Sequence, residues 1–114
     1  MRIGSILSIA SSGLKAASKR FALSAQNLAN MNSDGYKASR TIDVATEDGG
    51  VESHVERVQN PGPAILRKGE LVEGSNTDIV QDTVNQMQAL QSYRANISVV
   101  KTASEMLEET TRNL

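Results

Sequence analysis

Both ends of the chain carry long apolar patterns with helical spacing, whereas the middle of the chain does not. Steps of four and three residues alternate along the N-terminal pattern, which gives it an average repeat of 3.5 residues, and the C-terminal pattern also has steps of three and four. The first pattern consists of Ile3, Leu7, Ala10, Leu14, Ala17, Phe21, Ser24 and Leu28. The second consists of Val80, Val84, Met87, Leu90, Tyr93, Ile97, Val100, Ala103 and Leu107. The sequence therefore predicts two long helices, one over residues 3–30 and one ending near residue 112.

The segment between the two helices has the pattern of short strands. Residues 41–45 and 51–58 alternate around Asp48-Gly49-Gly50, which is typical of a β-hairpin. Pro61 and Pro63 end that hairpin. Residues 64–66 and 70–73, which flank Arg67-Lys-Gly69, indicate a second and weaker strand pair.

Turn-forming residues mark the boundaries of these parts. Asn30 to Gly35 is a run of turn formers that ends in glycine, as expected where a helix stops. Ser75 to Asp78 fits a capping box, in which the Ser75 side chain would cap the last helix. We therefore expect an N-terminal helix over 1–33, a β-rich excursion over 34–74 and a C-terminal helix over 75–114. The expected fold is mainly α, one structural domain made by an antiparallel, coiled-coil-like pair of terminal helices.

Pairing of the two ends would bury both apolar patterns at once. Residues 1–33 carry four basic and no acidic side chains, whereas residues 78–114 carry five acidic and three basic ones. These opposite charges favour pairing of the helices, although exposed ion pairs stabilise little. The predicted seam consists of Leu7, Leu14, Phe21, Leu28, Val84, Leu90, Tyr93, Ile97, Val100 and Leu107.

Composition indicates that this pair has a thin core. The 114 residues include only three aromatic side chains and no cysteine, so disulfides and thiolate metal sites are excluded. Small folds with thin cores usually depend on partners. No apolar segment is long enough to span a bilayer. The apolar periodicity that begins at Ile3 continues to Leu28, which argues against a cleaved leader.

Catalytic and nucleic-acid-binding chemistry receive little support. His54 is the only histidine, and Glu52 and Glu56 share its face of a predicted strand. A metal or acid–base cluster is one reading, but a solvated strand face explains the alternation with fewer assumptions. Dispersed basic residues without an aromatic platform make a weak nucleic-acid footprint. We expect no catalytic residue, no cofactor and no metal.

Two motifs resemble those of bacterial flagellar basal-body rod proteins. Ala22-Leu-Ser-Ala-Gln-Asn-Leu-Ala-Asn30 followed by Gly35-Tyr-Lys37 is similar to the N-terminal signature of that family. Ser75-Asn-Thr-Asp-Ile-Val80, Tyr93-Arg-Ala-Asn96 and the segment 101–107 resemble its C-terminal signature. Asp34, Thr77 and Arg94 depart from the usual pattern. The short middle segment resembles that of the proximal rod subunits.

The resemblance implies a structural subunit that is exported through the flagellar type III apparatus without cleavage. It would polymerise in the periplasm with its own copies and other rod and basal-body subunits, forming a tubular drive shaft around an export channel. Membrane insertion is not expected. The rival interpretation is a coiled-coil adaptor or secretion chaperone that binds a partner helix. The candidate family-motif and subunit-contact residues are Asn27, Asn30, Gly35, Tyr36, Asn76, Asp78, Arg94 and Asn96.

Overall fold

Two long helices flank two small antiparallel hairpins in the computed structural model, which describes residues 2–113. Met1 and Leu114, the outermost residues of the predicted segments, lie outside the described residues. The elements are α1 (Ile3–Ala29), β1 (Ser39–Ala45), β2 (Val51–Arg57), β3 (Ala64–Arg67), β4 (Glu70–Glu73) and α2 (Ile79–Arg112). The predicted fold class, both helices and both strand pairs are thus confirmed.

Short polar side chains cap the C-terminus of α1 and the N-terminus of α2. Asn30 caps the C-terminus of α1, and its side-chain amide donates to the Gln26 carbonyl oxygen at 3.0 Å. Asp78 caps the N-terminus of α2, where its carboxylate accepts from the Gln81 N–H at 3.1 Å. The predicted capping role of Ser75 is wrong, because the Ser75 hydroxyl instead accepts from the Thr77 N–H within an extended approach to the helix.

The first hairpin lies along α1, and the second stands apart. β1 pairs with β2 over seven residues, from Ser39 opposite Arg57 to Ala45 opposite Val51. Both strands pack on α1, whose other side packs on α2. β3 and β4 pair with each other, but they pack on no other helix or strand among residues 2–113.

This order of layers makes the molecule long and thin. Its extents are 76 × 23 × 14 Å, and its radius of gyration is 19.5 Å, against about 13 Å for a compact domain of this length. The buried apolar residues are all alanines. They are Ala10, Ala16, Ala17, Ala38, Ala89 and Ala103. Residues 2–113 therefore contain no cluster of large buried apolar side chains.

The ion pairs connect α1 to the hairpin rather than to α2. Arg20 pairs with Asp43 of β1, and the Lys19 ammonium donates to the Ser53 carbonyl oxygen of β2 at 3.1 Å. No ion pair joins the two helices within residues 2–113. The expectation that opposite charges pair the helices directly is therefore corrected. The hairpin, which lies beside α1, takes these two basic side chains.

Candidate functional site

The amide of Asn27 joins four parts of the chain where the helices meet the β excursion. This side chain is 2% exposed, near the C-terminal end of α1. Its Nδ2 donates to the Ser39 carbonyl oxygen at 2.7 Å and to Asp82 Oδ1 at 3.0 Å. Its Oδ1 accepts from the Tyr36 hydroxyl and the Ser39 N–H, both at 2.9 Å. Two donors and two acceptors are all that an asparagine amide offers, so the side chain is fully used inside the chain.

The two ionisable neighbours of Asn27 are held inside the same contact. Asp82 lies on the first turns of α2 and is buried, with the Asn27 amide as its donor. Burial raises the pKa of the Tyr36 hydroxyl above its ordinary value; the Arg57 guanidinium opposes this rise and the Asp82 carboxylate adds to it. We refer to Asn27, Tyr36, Ser39 and Asp82 as the polar junction. Because it ties α1 to both the hairpin and α2, it fixes their relative placement.

Asn76 performs a similar task between the hairpin and the start of α2. Its Oδ1 accepts from the Ala38 N–H at 2.6 Å. Its Nδ2 donates to the carbonyl oxygens of Val58 (2.7 Å) and Asn60 (2.8 Å). The side chain therefore satisfies backbone groups at the open end of the β1–β2 pair, just before β1 and just after β2, and connects them to the segment before α2.

The turn after α1 depends on a glycine. Gly35, the glycine expected where α1 stops, has φ of +71°, a left-handed conformation that glycine adopts without strain. Its N–H donates to the Glu73 carbonyl oxygen at 2.8 Å, so the turn holds the end of β4. Asp34 also binds the second hairpin, through Arg67 Nε at 2.8 Å. The neighbouring Lys37 ammonium, which bonds to the Glu73 side chain, and the Gly62 N–H lower the pKa of the Glu73 carboxyl.

The outer side of α2 presents large apolar residues to solvent. Val80 is 74% exposed and Met87 is 67% exposed. Val84, Leu90 and Ile97 are also exposed, and Leu90 borders a shallow groove that Phe21 of α1 also lines. The residues that α2 buries are small or polar: Asp82, Ala89 and Ala103. We refer to the five apolar residues as the outer face of α2.

The predicted seam residues occupy two kinds of position. Leu7, Leu14, Leu28 and Val100 are half-buried. Phe21, Val84, Leu90, Tyr93, Ile97 and Leu107 are exposed in the single chain. The closest approach of the helices uses smaller residues, because a β-carbon on Gly13 would lie 2.7 Å from the Asn96 amide. Their role as the seam between the two helices stays a prediction.

The remaining candidate contact residues are placed differently from Asn27. Sequence reasoning slightly favoured a neighbouring subunit as the partner of Asn27, but the structure gives its whole amide to partners within the chain. Arg94 is exposed, whereas Asn96 faces Gly13 of α1 and is half-buried. Asn30 and Asp78 cap helices, and Gly35 and Tyr36 form the turn. Subunit contacts by these residues stay predictions.

His54 lies on the exposed surface of β2. Within residues 2–113 there is no group of three acidic or histidine side chains placed to hold a metal ion. None of the described helices is long and apolar enough to cross a membrane. The chemistry that the described chain presents most clearly is thus surface binding by exposed apolar side chains.

An elongated helix pair with an internal polar junction and an uncovered apolar face defines a subunit of a larger assembly. Family comparisons agree with this class. Residues 7–37 match the family described as "Flagella basal body rod protein", and residues 68–113 match "Flagellar basal body rod FlgEFG protein C-terminal". The chain belongs to the family of flagellar basal-body rod proteins, which confirms the resemblance seen in its sequence, and it is a structural rod subunit of the basal body.

Relatives that match over almost the whole chain are also flagellar basal-body rod proteins. The chain is 36% identical to the flagellar basal-body rod protein FlgC of Salmonella typhimurium, with 96% of each chain covered. It is 33% identical to FlgC of Escherichia coli O157:H7 and 30% identical to FlgC of Buchnera aphidicola from Acyrthosiphon pisum, each with 96% of both chains covered. The Salmonella alignment has 129 positions, so that relative contains about 20 residues that this 114-residue chain lacks.

Sequence reasoning missed two features of the site. Asp82 was not singled out, although a lone carboxylate on the first turns of α2, between the apolar positions 80 and 84, was a visible signal. The second missed feature is the close approach of Gly13 to Asn96, which is possible only because glycine has no side chain. Spacing of large apolar residues carries no information about such contacts.

Proposed function

We propose that the chain polymerises with its own copies and other rod subunits into the proximal part of a tubular drive shaft that transmits torque around an export channel. The observation that carries this proposal is the contrast between an all-alanine apolar core and the exposed outer face of α2. Contiguous exposed apolar surface marks an interaction site. Neighbouring subunits in a rod could cover such a face, whereas in a free monomer it stays exposed to water.

The location and route follow from the same proposal. The subunit assembles in the periplasm after passage through the flagellar type III export apparatus, without removal of a leader. The continuous α1 supports this route, because residues that a signal peptidase would remove belong to a helix that packs on α2. The helix that begins at Ile3 also lies close to α2 at Gly13, opposite Asn96, so its removal would undo the helix pair.

Isolation of basal bodies tests the proposal. Mass spectrometry of purified hook–basal bodies should detect the chain with its N-terminal residues intact, at several copies per particle. The adaptor alternative predicts another distribution, in which the chain stays in the cytoplasm in a discrete complex with one partner. Recovery only in such a complex, with none in basal bodies, would overturn the rod proposal.

A further inference from the structure

The β3–β4 hairpin is joined to the rest of the chain by a narrow neck. The two connecting segments touch at Gly62 and Gly74, where a β-carbon on Gly62 would lie 2.0 Å from the Gly74 carbonyl oxygen. The Gly74 N–H donates to the Pro63 carbonyl oxygen at 2.7 Å and closes the neck. The hairpin packs on no other helix or strand within residues 2–113. It would therefore turn about this neck unless polar contacts held it in place.

Glu73, the last residue of β4, makes contacts on both sides of the neck. Its carboxylate accepts from the Gly62 N–H at 3.1 Å and from the Lys37 ammonium. Its carbonyl oxygen accepts from the Gly35 N–H at 2.8 Å. The same residue thus binds the segment that enters the hairpin and the turn that follows α1. We refer to these three contacts as the Glu73 clamp.

Lys37 extends the clamp towards the first hairpin and α2. Its ammonium also donates to the Asn60 carbonyl oxygen at 3.5 Å, and the same oxygen accepts from the Asn76 amide at 2.8 Å. Asn76 in turn accepts from the Ala38 N–H at 2.6 Å. A continuous set of polar contacts therefore runs from Glu73 to the start of the first hairpin and to the segment before α2.

The other charged residues of the second hairpin hold it less firmly. Arg67 pairs with Asp34, but their side chains are 47% and 43% exposed, and ion pairs in such positions stabilise little. Lys68 and Glu70 form no ion pair with residues 2–113. Glu73 differs from all of these, because it combines an ion pair with hydrogen bonds from two backbone N–H groups.

We propose that Glu73 is a positioning residue, which fixes the direction of the second hairpin relative to the helix pair in the free chain. Its side chain is 44% exposed, so loss of the clamp should release the hairpin without unfolding the helices. A segment whose direction is already fixed loses less conformational freedom when it becomes part of an assembly. The inference goes beyond the proposed function and does not depend on it, because it concerns the free chain.

The distance between two spin labels reports the direction of the hairpin. The chain has no cysteine, so Lys68→Cys at the turn of the hairpin and Gln91→Cys on α2 can be labelled selectively. Both positions are exposed. Pulsed electron–electron double resonance on the free chain should give one narrow distance distribution, and Glu73→Ala should broaden it at least about twofold. Glu70→Ala is the matched control, because it removes the same charge from the same strand and should leave the width unchanged.

Two further variants test which atoms of the clamp matter. Glu73→Gln keeps a side-chain oxygen that can accept from Gly62 and Lys37, so it should retain most of the narrow distribution. Lys37→Met removes the other partner and should broaden the distribution. Lys37→Met combined with Glu73→Ala should be little broader than Glu73→Ala alone, because both changes remove the same contact.

The outcomes separate the clamp from a general structural role and from the proposed function. A distribution as broad in the unmodified chain as in Glu73→Ala, or equal broadening by Glu70→Ala, would overturn the inference. A lower urea midpoint of the helical circular dichroism signal in Glu73→Ala would also overturn it, because Glu73 would then support the whole fold. None of these results bears on the rod assignment, which depends on recovery of the chain in basal bodies.

Discussion

The polar junction and the outer face of α2 follow opposite rules within one helix. At Asp82, α2 buries a carboxylate and gives it an amide donor from Asn27. Five residues further on, Met87 of the same helix is left largely in solvent. Buried polar groups are costly unless hydrogen-bonded, and exposed apolar groups lose free energy that a partner could recover. The comparison shows that the chain uses polar contacts to fix its own shape and leaves large apolar side chains of α2 in solvent, where the proposed rod would place neighbouring subunits.

The junction fails most severely if its central amide is removed. Asn27→Ala leaves the buried Asp82 carboxylate and the part-buried Ser39 N–H and carbonyl groups without this partner, so the free energy of unfolding should fall by about 3–5 kcal/mol. Urea unfolding followed by circular dichroism measures this loss. Asn32→Ala is the matched control, because Asn32 is exposed and its change should alter stability by less than about 0.5 kcal/mol. Similar losses for both variants would contradict the junction.

The outer face should respond in the opposite way, through assembly rather than stability. Met87→Asp places a charge on a largely exposed position, so unfolding of the free chain should change by less than about 0.5 kcal/mol. A charge buried against a neighbouring subunit is far more costly, and basal-body number should fall at least tenfold. Gln88→Asp, one residue further on the polar side of the helix, should assemble normally. Normal motility with Met87→Asp would mean that this face stays in water.

The turn after α1, which places Tyr36 in the polar junction, should be sensitive to backbone strain alone. A β-carbon at Gly35 would have open space around it, so any defect in Gly35→Val comes from the positive φ, at a cost of about 1–3 kcal/mol. Rod assembly should be sharply reduced, because the turn also places Tyr36. Asp34→Pro loses only the exposed pair with Arg67 and should assemble close to normally. Equal basal-body counts for the two variants would make the turn a passive linker.

The smallest effect concerns the Tyr36 hydroxyl and pH. Burial raises the pKa of Tyr36, so the folded chain holds this proton more tightly than the unfolded chain. Its contribution is therefore complete below about pH 10 and is lost as pH rises through the raised value. Tyr36→Phe should cost about 1 kcal/mol at neutral pH and weaken the alkaline loss. The control is Tyr93→Phe, at an exposed tyrosine. An unchanged alkaline slope in Tyr36→Phe would contradict the assignment.

Much of the fold could be predicted from the sequence for local reasons. Three- and four-residue spacing over nearly thirty residues specifies a helix, and alternation around Asp48-Gly49-Gly50 specifies a hairpin. Both are properties of adjacent turns or strands and need no distant contact. The motif around Asn27 and Gly35 identified the family for a related reason, since a short motif can be read without its surroundings. Gly35 was predicted correctly because positive φ is a local requirement.

Only the tertiary structure decided which face of α2 looks inward. Periodicity gave the apolar stripe of α2, but it did not show that Val80 and Met87 of that stripe are left 74% and 67% exposed. The inner face is set instead by Gly13, Ala17 and Asn27 of α1, which admit Asn96, Ala89 and Asp82 at short range. Small and polar residues gain free energy only when a specific partner lies opposite, at hydrogen-bonding or backbone distance. That condition depends on residues distant in the sequence, so the sequence pattern alone could not reveal it.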